Sequence, residues 1–129
     1  MKKLIILTEI IAIILLLIAS GPEAETQEQK YFMMSSTAYY PGPESCAPFD
    51  DGFTAIGDIA GKGSVAIDDK NGPLKMGQMV YIEGYGIGKC NDRGSAITNW
   101  KIDLCFDTIE EAQNWGRRLV KVFLIEGGK

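Results

Sequence analysis

Between residues 30 and 126, glycine, proline, asparagine and aspartate cut the chain into short apolar runs, and that punctuation limits what it can fold into. The runs are YFMMSSTAYY (31–40), GSVAID (63–68), QMVYIEG (78–84), GIGKCND (86–92), KIDLCF (101–106) and RLVKVFLIE (118–126). Such runs, bounded by turn residues, are expected to be strands. One helix interrupts them. In DTIEEAQNWG (107–116), Thr108 is followed three residues later by Glu111, the capping-box arrangement in which each side chain satisfies an orphan N–H of the first turn. Gly116 fits the left-handed stop. Short, closely spaced strands expose edges unless the sheet closes, so the expected fold class is all-β, a small closed barrel with one short helix.

Ahead of that region stands MKKLIILTEIIAIILLLIAS. Lys2 and Lys3 lead into a mostly apolar run, Leu4–Ala19, broken only by Thr8 and Glu9. This is an export signal or a short anchor. The unbroken part, Ile10–Ala19, has the length of a signal core, while a spanning helix wants about 20 apolar residues and disfavours an internal acid. Against cleavage, Pro22 follows Ala19-Ser20-Gly21, the best small-x-small site. Both fates fit residues 1–20, and both place the rest in the cell envelope or outside the cell. No cysteine follows the run, which disfavours a lipoprotein. Gly21–Gln29 is polar and acidic, a linker to one domain over 30–129. A membrane contact is expected only through a retained N-terminal segment.

With 129 residues and a formal net charge of −4, the chain is sized for one domain and lacks a basic nucleic-acid footprint. It has no histidine, so acid–base chemistry falls to Asp, Glu, Lys, Tyr or Cys. Cys46, Cys90 and Cys105 form no CxxC pair, and no metal site is expected.

Three aspartates stand out, each with an ordinary explanation available. Asp68 ends a strand before a turn, Asp92 precedes Arg93-Gly94 and can bond its own backbone, and Asp103 shares a strand face with Lys101 and Cys105. The stretch CNDRGSAITNWKIDLCF (90–106) nevertheless carries Asp92 and Asp103 at the two ends of one loop. The same fold-back is expected to draw Cys90 and Cys105 together as a disulfide in an exported protein, with three unpaired thiols as the alternative.

Taken together, VAID (65–68), GKCNDRGSAI (88–97), KIDLCF (101–106) and NWGRRLVKVFLI (114–125) resemble the three-aspartate (3D) domain. STAYY (36–40), TAIG (54–57) and PLKMGQMVYIEGYG (73–86) extend the resemblance to about 34–126. Many relatives read Thr-Gly-Gly where this chain has Arg93-Gly94-Ser95. The resemblance implies a double-psi β-barrel, the core shared with membrane-bound lytic transglycosylases and stationary-phase survival proteins. It implies cleavage of the β-1,4 bond between N-acetylmuramic acid and N-acetylglucosamine to leave a 1,6-anhydro end, without a cofactor, on peptidoglycan glycan strands. Asp103 would be the catalytic acid, Asp92 and Asp68 its supporting carboxylates, and Thr54 a substrate contact. Arg93, Ser95 and Lys101 are candidate sugar contacts beside the acids, with Lys70 and Asn99 near them. Trp100 is either a ring platform or a core edge, and Trp115 is expected in barrel packing. The alternatives are a hydrolase of the same bond, with two acids flanking it, and a wall-binding barrel without catalysis.

Overall fold

The computed structural model describes residues 27–42 and 52–125. The apolar run at 4–19, most of the linker and Cys46 lie outside the described residues. Within them the elements are β1 (Phe32–Tyr39), β2 (Ser64–Ala66), β3 (Met79–Ile82), β4 (Gly86–Asp92), β5 (Lys101–Cys105), α1 (Ile109–Trp115) and β6 (Arg118–Leu124). The strands close in the order β1-β5-β2-β4-β3-β6. Two pairs, β1 with β5 and β2 with β4, are parallel, and the other pairs are antiparallel. The expected all-β closed barrel with one short helix is therefore the observed fold, a six-stranded mixed barrel.

Alternation along the strands fills its interior. Met34 and Ser36 of β1, Val80 and Ile82 of β3, Ile102 and Leu104 of β5, and Val120 and Val122 of β6 are all buried, while their sequence neighbours, Cys105 excepted, are more exposed. Strand β2 has only three residues, all buried, because the chain leaves it toward the turn that Asp68 organises.

Helix α1 starts and stops where the sequence requires. The Thr108 hydroxyl oxygen accepts from the Glu111 N–H at 3.1 Å, although its own proton goes to the Glu111 carboxylate at 3.0 Å. Gly116, at φ 64°, donates its N–H to Ala112 and ends the helix. The helix delivers Trp115 to the barrel wall among Tyr85 and Phe106. Its Nε1 donates to Ser36 Oγ at 3.0 Å, and that hydroxyl donates to the Arg118 carbonyl at 2.8 Å. A buried indole N–H and a buried serine are thus satisfied together, while burial of the ring contributes roughly 4–6 kcal/mol. Trp115 is core packing, as its place at the end of the helix suggested.

Candidate active site

Four strands place Thr37, Asp103, Ala66 and Asp92 in one lateral row. Thr37 of β1 is the partner of Asp103 of β5, Asp103 is the partner of Ala66 of β2, and Ala66 is the partner of Asp92 of β4. Simple alternation would not produce this row. Cys90 belongs to the interior cluster, so a regular β4 would send Asp92, two residues on, inward as well. Instead Val65 pairs with Cys90 but Ala66 pairs with Asp92, which leaves Asn91 as an extra residue on β4. This bulge re-aims Asp92 to the outer side, where Asp103 lies.

Strand β1 supplies hydroxyls to both acids from positions two residues apart. Thr37 Oγ1 donates to Asp103 Oδ1 at 2.9 Å, and Tyr39 donates to Asp92 Oδ2 at 3.1 Å. The other Asp92 oxygen accepts from the backbone N–H groups of Ala55 and Arg93 at 3.0 and 2.9 Å. Burial holds the Tyr39 phenol protonated, with Cys105 and Asp92 reinforcing it, so it stays a donor.

Burial raises the Asp103 carboxyl above the ordinary aspartate range. The Thr37 hydrogen bond works against that rise, the Asp92 charge adds to it, and the Leu104 N–H opposes it. Desolvation is the largest cause because the charged form loses water that one hydroxyl does not replace. A carboxyl held toward its protonated form, next to a second carboxylate, is what a general acid requires near neutral pH.

Asp68 plays a different part. Its Oδ1 accepts from the N–H groups of Lys70 and Asn71 at 3.2 and 3.1 Å, and its Oδ2 accepts from the Asn99 N–H at 2.8 Å and from Asn71 Nδ2 at 3.2 Å. These bonds, the Asn99 one foremost, hold its carboxyl below the usual range. Asp68 is a brace between two loops, and it is not among the groups that raise Asp103.

The loops it joins follow the parallel strands β2 and β4 and so leave the barrel at the same end. Between them lies an open cleft of about 540 Å³, lined by Ile67 to Lys70 and by Arg93, Gly94, Ser95, Ile97 and Thr98. Neither Asp92 nor Asp103 lines it, but their row abuts it through Ile67 and Arg93, the chain neighbours of Ala66 and Asp92. Arg93 grips Asp69 with two bonds of 2.9 Å across the cleft, and that pairing lowers the Asp69 carboxyl to about 2. Ser95 and Lys70 stand at the same cleft, whereas Lys101 is exposed two residues before Asp103, beside Ser35. Thr54 is buried, and its hydroxyl accepts from the Asp58 N–H at 3.1 Å. Its loop reaches the acids through the neighbouring Ala55 N–H. Trp100 is half exposed, with its ring edge-on to Phe32 at 5.6 Å.

The expected Cys90–Cys105 bond is not formed. The loop from Asp92 to Asp103 does return to the same region, but β4 and β5 are not neighbours, since β2 lies between them. Strands one apart from adjacency are separated by roughly 9.6 Å, beyond the 7 Å or so of Cα separation that a disulfide spans. Cys90 is a free thiol in the interior, pushed up to about 12 by burial, while Cys105 is buried on the Tyr39 side. Among the described residues no group of three or more His, Cys, Asp or Glu side chains is arranged to hold a metal ion.

Sequence reasoning missed Thr37, Tyr39 and Asp69. The first two were legible in principle: STAYY alternates, and its hydroxyl positions 37 and 39 share a face. Asp69 carried no signal apart from standing beside Asp68.

The chain is 35% identical over 100 residues to YabE of Bacillus subtilis, named as a cell wall shaping protein, a match covering 74% of this chain and 23% of that one. It is 41% identical over 58 residues to the cell wall-binding protein YocH of the same organism, covering 45% of this chain and 20% of that one. The chain thus spans less than a quarter of the length of these relatives. The 3D domain matches residues 63–126, which hold all three aspartates together with β2 to β6. Through that domain the chain belongs to the 3D-domain family.

Proposed function

We propose that the chain acts on the cell wall as a peptidoglycan lytic transglycosylase, in the cell envelope or outside the cell, with Asp103 as its acid and base. The observation that carries this reading is the raised carboxyl of Asp103, half-buried in a row with Thr37 and Asp92. Protonated Asp103 gives its proton to the glycosidic oxygen as the bond between the muramyl C1 and that oxygen breaks. The resulting carboxylate takes the proton of the muramyl 6-hydroxyl, whose oxygen bonds to its own C1. The enzyme ends protonated, as it began, and the product is a 1,6-anhydro sugar. Because the nucleophile is already part of the substrate, its attack is intramolecular and no second catalytic carboxylate is required. Burial, with the Asp92 charge adding to it, holds Asp103 toward its protonated form, and the cleft beside it accommodates flanking glycan or peptide groups.

The relatives' names, cell wall shaping and cell wall-binding, support a wall-related role. The second of them also favours a binding barrel without catalysis. One experiment separates the readings: purified sacculi are incubated with the protein and with Asp103→Asn, and released fragments are weighed by mass spectrometry. Anhydro-muramyl ends from the wild type alone are expected, with a loss of about 10²–10⁴-fold in the variant. Fragments one water heavier would assign a hydrolase, and binding without release would assign a binding module.

A further inference from the structure

Asp103 stands on β5 and Asp92 at the end of β4 with β2 between them, and the closed ring puts β6 on the far side, flanked by β3 and the start of β1. The outer surface there is apolar. Tyr81 is the lateral partner of both Phe123 and Ile87, and Tyr31 packs its ring on Phe123 at 5.6 Å. Leu119 and Ile87 are 68% and 63% exposed. The opposite faces of these strands already fill the core with Val80, Ile82, Val120 and Val122. A barrel wall with one face packed is expected to show polar residues outward, and apolar residues on a soluble surface are ordinarily scattered singly. Here register makes Tyr81, Phe123 and Ile87 contiguous, with Tyr31 packed on Phe123, while Leu119 stands further along β6 beside Ser35.

Two observations indicate what covers this face. The first is its chemistry: Lys121 lies over the Tyr31 ring at 4.9 Å, and Lys30 is exposed beside it. Tyrosine and lysine on an apolar surface suit the border of a bilayer, where rings sit at headgroup level and lysine stems lie along apolar surface while their ammonium groups reach phosphate. The second is the path of the chain. Residues 27–32 run beside Leu124 and Ile125, with which they line an open groove, so the polypeptide joins the barrel at this side. The apolar run Leu4–Ala19 is separated from Lys30 only by residues 20–29, a reach of at most about 35 Å. A bilayer engaged by that run lies within reach of this face.

We propose that the outer face of β6, β3 and the starts of β1 and β4 rests on the surface of a phospholipid bilayer containing anionic lipid, which turns the Asp103 row away from the membrane. The proposal does not depend on Asp103 being catalytic. The test uses the full chain in vesicles of phosphatidylcholine and phosphatidylglycerol with brominated acyl chains. Tyr81→Trp and Ile87→Trp report from the face, Lys70→Trp reports from the acid side, and wild-type emission from Trp100 and Trp115 is subtracted. Emission added by the two face substitutions is expected to be quenched, more so with phosphatidylglycerol present, and that added by Lys70→Trp is expected to persist. Adding Leu119→Asp to Tyr81→Trp should relieve quenching while circular dichroism stays that of the wild type. Equal quenching on both sides, or none at either face position, overturns the proposal. So does a dimer in detergent that Tyr81→Asp dissolves, because the face would then belong to a second copy.

Discussion

Replacing Gly72 by alanine probes the brace that holds the cleft walls together. A Cβ at this position would overlap the Asn99 carbonyl oxygen outright and lie 2.7 Å from the Asp68 carbonyl oxygen. Both obstacles are backbone, so neither can swing aside as a side-chain tip would. Restoring ordinary contact requires the two loops to part by roughly 1 Å, which stretches the 2.8 Å bond from the Asn99 N–H to Asp68 Oδ2 beyond hydrogen-bonding range. Overpacking of this kind costs typically 1–3 kcal/mol. The smaller entropy of an unfolded chain carrying alanine returns about 0.4–1 kcal/mol, leaving a net loss near 1–2 kcal/mol. For a domain of this size that is a fall in Tm of roughly 4–15 °C. Thermal melts by circular dichroism measure it, with Gly61→Ala as the control. The control's Cβ meets only Asp107 Oδ1, at an unstrained 3.6 Å, and its Tm should hold or rise. A Gly72→Ala melt that matches the control would refute the close approach of the two loops, and with it the brace assigned to Asp68.

Removing the Asp92 charge with Asp92→Asn takes away one of the causes that keep Asp103 protonated, so the alkaline limb of the rate profile should move to lower pH. Thr37→Val removes a bond that favours the ionised form and should move the same limb to higher pH; limbs that stay put in both variants would discard this account of the site. Because the folded-state pKa of Asp103 is raised, the protonated form favours folding, and that contribution is lost as pH rises through the folded value. Asp103→Asn should therefore melt higher than the wild type at neutral pH, with the difference vanishing below about pH 4, where the carboxyl is protonated in both folded and unfolded chains. Tyr85→Phe removes a hydroxyl that donates to the Cys105 carbonyl at 2.6 Å and accepts from the Gly63 N–H at 2.7 Å. Two backbone groups lose their partner, so chemical denaturation should show a loss of about 2–4 kcal/mol, against almost none for the exposed Tyr81→Phe.

The strands and the helix were legible because their signals are local. Alternation in QMVYIEG and KIDLCF, and Thr108 with Glu111, act within a few residues, and each element lies within about two residues of its expected place. What the sequence did not carry was neighbourhood. That β2 lies between β4 and β5 depends on the whole ring, and this separates Cys90 from Cys105 although both flank one loop. The bulge at Asn91 was equally invisible, since nothing local distinguishes an extra residue from a regular one. Asp68 was visible as a turn residue and also as one of three family acids. Its four bonds to loop donors, the closest from Asn99, favour the first description.

The bond from Thr37 to Asp103 joins residues 66 apart in sequence, and it crosses a parallel pair that no hairpin can nucleate. Contacts of such long range form late, after the loop-closure entropy of the intervening chain has been met. The site is therefore a property of the completed ring and of no smaller piece. A growing chain that has not yet delivered residue 105 holds solvated, ordinary aspartates, and chemistry that depends on the raised Asp103 stays silent throughout synthesis until the last strands arrive.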